Sequence, residues 1–172
     1  MINISDEFKL QIKYSHLLYN EENYLLSGIL VAKLFENYIH ILTNNRYAKN
    51  NSISPLKSAL DELEYKNVLT KDKVRELLKS RNSLVHVATY TNKDKITIKI
   101  LLNFLEKDIL GETIGYLDYF DRQYIIERLK SKGFLSSEKS LKIKKFEFFE
   151  EKDFFNLYKA RDKFLILLNF RT

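Results

Sequence analysis

Between Asn20 and Thr43 the chain carries Leu25, Leu26, Ile29, Leu30, Val31, Leu34, Phe35, Ile39, Ile41 and Leu42, which fall on nearly every side of a helix. A helix on the surface keeps one polar side for water, so a helix that is apolar almost all round belongs at the centre of a core, or under a second chain as well. This stretch constrains the fold more than any other. Its polar interruptions are Lys33, Glu36, Asn37 and His40. Glu36 and His40 stand one turn apart and read, by spacing alone, as a simple polar stripe.

The remaining segments supply helices to pack around it. Four glycines and one proline in 172 residues leave little material for the tight turns of a sandwich or barrel. Ser5-Asp6-Glu7 reads as a capped helix start, followed by Phe8, Ile12, Leu17 and Leu18 as a packing face. Thr43 to Ser54, with its asparagines, reads as a loop. Ser54-Pro55 then signals a capped start for a helix carrying Leu56, Ala59, Leu60 and Leu63, and Thr70 caps the next. Ile96 to Ile100 alternates like a strand, but its continuation through Leu101, Leu102, Phe104, Leu105 and Ile109 favours a helix ending at Gly111. Glu112 to Lys132 and Asp153 to Phe170 read as further helices, and Leu141 to Phe149 is open between a short strand and a helical turn. His16 reads as a surface residue. No repeat or composition shift divides the chain, so the expectation is one all-α domain over 1–172.

Composition and motifs exclude several chemistries. Without cysteine there are no disulfides, thiolate metal sites or thiol nucleophiles. The glycines are too scattered for a phosphate-cradling loop, and three histidines with no His-Glu-x-x-His spacing make a dedicated zinc site unexpected. Closely spaced aspartates of a two-metal nuclease are lacking, so no cofactor and no metal are expected. Asp6 and Glu7 stand where a secretory leader would be basic, and the apolar runs are interrupted or short. A cytoplasmic protein without a membrane segment is therefore expected. The net charge of +6, from 29 basic and 23 acidic residues, favours an anionic partner.

The chemistry that remains centres on Arg81-Asn82-Ser-Leu-Val-His86. Arg81 falls in the middle of the apolar stripe of its helix, formed by Val74, Leu77, Leu78, Leu84, Val85 and Ala88. A permanent charge there costs several kcal/mol (~) unless it is paired or opens onto a solvated cleft. Metal-free RNA cleavage needs the ribose 2′-hydroxyl deprotonated, the departing oxygen protonated, and the charge growing on phosphorus balanced. A histidine exchanges protons near neutral pH, an arginine presents a planar fork to a phosphate, and Asn82 can orient either group. A single histidine serves poorly as both base and acid. A twofold dimer would supply two copies, the apolar stripe around Arg81 closing against the partner.

Arg81-Asn82-x-x-x-His86 resembles the Arg, polar residue, His motif of the HEPN superfamily (higher eukaryotes and prokaryotes nucleotide-binding domains). The order of helices agrees over about 20–110, leaving about 111–172 as an extension. The resemblance implies a HEPN-like bundle of four or more helices with additional C-terminal helices, dimerising through its motif helices. It also implies a metal-independent endoribonuclease of bacterial phage defence or a toxin-antitoxin pair, with RNA as substrate and an antitoxin or defence protein as partner. Arg81 and His86 would be the catalytic pair, Asn82 the supporting polar residue, and Glu36 the acid that the first long helix contributes in many members. One toxin branch carries a tyrosine two residues after the histidine, where this chain has Ala88, with Tyr90 two further on. Neutralisation by tyrosine modification is therefore not expected. The alternative is a non-catalytic protein-interaction or RNA-binding module on the same scaffold.

Overall fold

A computed structural model describes residues 3–20, 22, 24–48, 54–85, 94–111, 127, 135–137 and 140–143. The helix foreseen as central is α2 (Tyr24–Leu42), and it packs against α1 (Asp6–Asn20), α3 (Pro55–Tyr65), α4 (Lys71–Val85) and α5 (Asp94–Leu105). From Leu26 to His40 every residue of α2 except Asn37 is buried. Each large apolar side chain so enclosed contributes roughly 1.5–3 kcal/mol relative to exposure, which makes α2 the main source of the core's stability. Phe35 of α2 meets Phe104 of α5 edge to face, with ring centroids 5.8 Å apart. The described core is all-α, and the chain's own helices cover α2.

Local signals account for most helix starts. Ser5 Oγ accepts the N–H of Phe8 and Thr70 Oγ1 that of Lys73, both at 3.2 Å, so both capping residues act as expected. Ser54 stands at the N-cap of α3 without a side-chain capping bond, and Pro55 starts that helix through its fixed backbone angle instead. In α5 the helical period prevails over the alternation of Ile96 to Ile100. Ile98, Leu101, Leu102 and Leu105 are buried, while Ile96 faces out at 71% exposure. The helix runs on into a π-helical turn, Glu106–Leu110, and stops at Gly111, whose φ of +76° suits a residue without a Cβ.

Two polar contacts, one buried and one partly exposed, tie the π turn to the bundle. His16 Nδ1 of α1 pairs with Glu106 Oε1, and Tyr38 of α2 donates to Asp108 Oδ2 at 2.7 Å. His16 is 1% exposed, which corrects its reading as a surface residue. Helical spacing put it beside Leu17 on a helix buried more widely than one stripe; what it meets there comes from a turn 90 residues away. Ser15 and Ser27 exchange hydroxyl-to-carbonyl bonds of 3.0 and 2.8 Å, holding α1 close against α2.

Beyond α5 the chain includes a two-stranded antiparallel ribbon, β1 (Leu135–Ser137) and β2 (Ser140–Ile143), pairing Leu135 with Ile143 and Ser137 with Ser140. The stretch left open from Leu141 thus begins in a strand, and the all-α expectation gains a small ribbon. The helices expected over Glu112 to Lys132 and Asp153 to Phe170 lie outside the described residues, save Glu127.

Candidate functional site

Val74, Leu77 and Leu84 lie at most 4% exposed along one side of α4, and Arg81 shares that side. The helix therefore carries a guanidinium at a position equivalent to core. Its cost is met by α2, whose Glu36 is 4% exposed and directed at the same place. Arg81 Nη2 donates to Glu36 Oε2 at 3.0 Å, and Nη1 donates to Asn82 Oδ1, also at 3.0 Å. The other carboxylate oxygen of Glu36 faces Lys33 Nζ at 3.6 Å. One buried carboxylate thus holds two cations, one from its own helix and one from α4. Such a cluster persists only because each charge has an opposite neighbour in a poorly solvated setting.

The cluster is not sealed. It forms one wall of a cavity of about 490 Å³, whose polar lining comes from Lys33, Glu36, Asn37, His40, Asn45, Ser54 and Arg81. Phe8, Ile41, Ala48, Pro55 and Leu56 form the apolar remainder. This volume lies in the range of small-ligand sites, and the mixed lining suits a molecule with a charged end and an apolar body. Two nitrogens of residues that line the cavity, Nε of Arg81 and Nδ1 of His40, are themselves buried and have no hydrogen-bond partner among the described residues. The first is a permanent donor. Leaving a buried donor unpaired costs about 1–3 kcal/mol.

Burial pushes the His40 imidazole below its ordinary value; Glu36 opposes this, and Lys33 and Arg81 reinforce it. Near neutral pH the ring is thereby held uncharged, with one nitrogen able to accept a proton.

Of the residues singled out from sequence, Arg81, Asn82 and Glu36 are brought together, from α4 and α2. The carbonyl of Asn82 is engaged with Arg81. His86 follows the last residue of α4 and lies outside the described residues, as do Ala88 and Tyr90. The apolar neighbours of Arg81 are covered differently from expectation. Val74, Leu77 and Leu84 are buried within one chain, so these members of the stripe do not require a second subunit to cover them.

Lys33 and His40 are the residues that sequence reasoning passed over. The signal was present: a helix enclosed on all sides has no solvent to offer a polar stripe, so Lys33, Glu36, Asn37 and His40 had to meet something polar. Among the described residues no group of three or more histidines and acids forms a cage for a metal ion, and no helix is long and apolar enough to cross a membrane. No protein-family model, characterised protein or solved structure matches the chain.

Proposed function

We propose that the chain is a metal-independent endoribonuclease of HEPN type, cutting RNA at the cavity between α2 and α4. The observation that carries this reading is the state of Arg81. Its side chain is 19% exposed, lines the cavity, and is pinned by Glu36 and Asn82 through its two terminal nitrogens, each of which has a second N–H. A guanidinium held in this way has lost most of its rotamer freedom before a ligand arrives and keeps a donor for a phosphate oxygen. In the proposed reaction Arg81 offsets the negative charge that grows on phosphorus, and His86 exchanges a proton with the reacting oxygens. Glu36 and Asn82 act through Arg81, as positioning residues. The net charge of +6 favours approach of a polyanion. A homodimer through the motif helices, a place in phage defence or a toxin-antitoxin pair, and a protein partner belong to the proposal through the motif alone.

The test is incubation of the purified chain with single-stranded RNA in excess chelator. Cutting is expected, and Arg81→Ala and His86→Ala should each lower it by at least about a hundredfold while circular dichroism stays unchanged. Cutting that survives both substitutions, or none by the parent chain, would remove the proposal. A second reading, a non-catalytic RNA-binding or protein-interaction module, draws on the Arg81–Glu36 pair itself, because such a pair is equally a structural tie. RNA binding without cleavage in the parent chain would select it.

A further inference from the structure

On α3 and beside it the exposed cations are neutralised where they stand: Lys57 pairs with Asp61, and Lys66 and Arg46 share Glu62. The exposed side of α4 is different. Lys71, Arg75 and Lys79 are all exposed, and none of them has an ion pair among the described residues. Spaced four residues apart, they follow one another along a single side of the helix with a rise of about 6 Å at each step. Like charges at this spacing oppose helix formation. Asp72 and Glu76 each precede a member of the row by three residues, yet they bond neither Arg75 nor Lys79, and Glu76 is taken by Lys73. The row therefore carries a repulsion that the bundle does not offset and that an external polyanion would.

The row also leads somewhere. One turn beyond Lys79, on the same side, is Asn82, whose Oδ1 accepts Nη1 of Arg81 at 3.0 Å, and Arg81 lines the cavity. From Lys71 to Asn82 the helix rises about 16 Å, a reach of a few nucleotides. We propose that Lys71, Arg75 and Lys79 form the track on which the backbone of the RNA strand lies, setting cations against successive phosphates and leading the strand to Arg81. This rests on the nuclease reading given above and extends its site beyond the cavity.

The surroundings of the row favour a nucleic acid over a protein surface. The exposed side chains of α4 are all charged or polar, Lys71, Asp72, Arg75, Glu76, Lys79 and Ser83, so a protein partner finds little apolar area to bury there. A phosphate backbone needs only the regular file of cations. Phosphates are alike beside every base, so the track supplies affinity and register and no choice of sequence.

The probe is a uridine strand of about 12 nucleotides with 2′-O-methyl riboses, which has no hydroxyl to attack and is bound without being cut. Its affinity for the full-length chain is measured over a salt series, beside Lys71→Gln/Arg75→Gln/Lys79→Gln and a control removing the same charge elsewhere, Lys57→Gln/Lys66→Gln/Lys107→Gln. Circular dichroism confirms folding. The row variant should bind at least about tenfold more weakly at about 0.1 M salt, and its slope of log affinity on log salt should be shallower by about 2, from three phosphates at about 0.7 each. The control should stay near the parent. With cleavable RNA the row variant should raise KM more than it lowers kcat, and the rise should shrink on a dinucleotide too short to span the row.

A probe that the parent does not bind, a row variant that binds like the parent, or a control that loses as much would overturn the inference and leave the nuclease reading to its own test. Polyglutamate of equal charge, binding as tightly as the probe and losing as much in the row variant, would also overturn it and mark the row as a seat for an acidic protein. Row-dependent binding by a parent chain that cuts no RNA would keep the track and remove the nuclease reading. A parent chain that neither binds the probe nor cuts RNA would remove both.

Discussion

The bundle buries two histidines in contrasting ways, and the contrast separates a structural polar contact from a candidate site. His16 is 1% exposed and paired with Glu106, itself fully buried, at the junction of α1 with the π turn. His40 is 8% exposed, has no partner for its buried Nδ1 among the described residues, and lines a 490 Å³ cavity beside two cations sharing one carboxylate. The first joins distant parts of the chain. The second lines an open space, and no described residue satisfies its Nδ1. Burial alone would rank them the other way round; satisfaction and access distinguish them.

The sharpest way to break the comparison is to remove the structural tie. Glu106→Ala strips His16 of its partner in a closed environment and should cost on the order of 3 kcal/mol of stability, as breaking a buried pair does. In a chain of this size that lowers Tm by roughly 6–12 °C, measurable by calorimetry. A loss below about 1 kcal/mol would mean that His16 finds other partners and that the two regions differ less than their geometry implies.

Glu36→Ala should cost less stability, about 2 kcal/mol, because the site is partly open and water can reach the released cations. Its larger effect should be on RNA cleavage, through Arg81 losing its fixed orientation. A double-mutant cycle of Glu36→Ala with Arg81→Ala measures the coupling, and strict additivity would show that the 3.0 Å contact does no positioning. Tyr38→Phe, which loses only the bond to Asp108, should cost about 1 kcal/mol by chemical denaturation and leave cleavage unchanged.

The smallest effect is a pH dependence. The folded-state pKa of His40 lies below the ordinary 6.5, so between the two values the unfolded chain binds more protons than the folded one. The contribution is therefore fully present above about 6.5 and is lost as the pH falls through the folded-state value. His40→Gln removes this loss. Measured as the difference in Tm between variant and parent, the variant should gain on the parent as the pH drops from about 7 to about 5. A flat difference would mean that the imidazole is not desolvated.

Much of the helical layout was legible because its causes are local. The all-round apolar pattern of Leu25 to Leu42 identified the central helix, and Ser5, Thr70 and Gly111 marked ends that the structure keeps. Ser54 failed as a cap because Pro55 can start a helix without it. The pair Arg81 and Glu36 was within reach of sequence reasoning, since a charge on an apolar stripe demands an opposite charge, although its place in α2 was named through a family resemblance. His40 and Lys33 were missed because a polar stripe on a helix has two meanings, solvent or site. Only knowledge of what covers the helix tells them apart.

By itself the sequence determined where helices run and which residue types have no comfortable place, because propensity, capping and periodicity act over a few residues along the chain. Tertiary structure alone decided that Glu36 clamps Arg81, that His16 closes against Glu106, and that His40 lines a cavity. Those outcomes depend on which helices meet and on how much water their meeting leaves, and contacts between residues 45 and 90 apart in the chain are written in no local pattern.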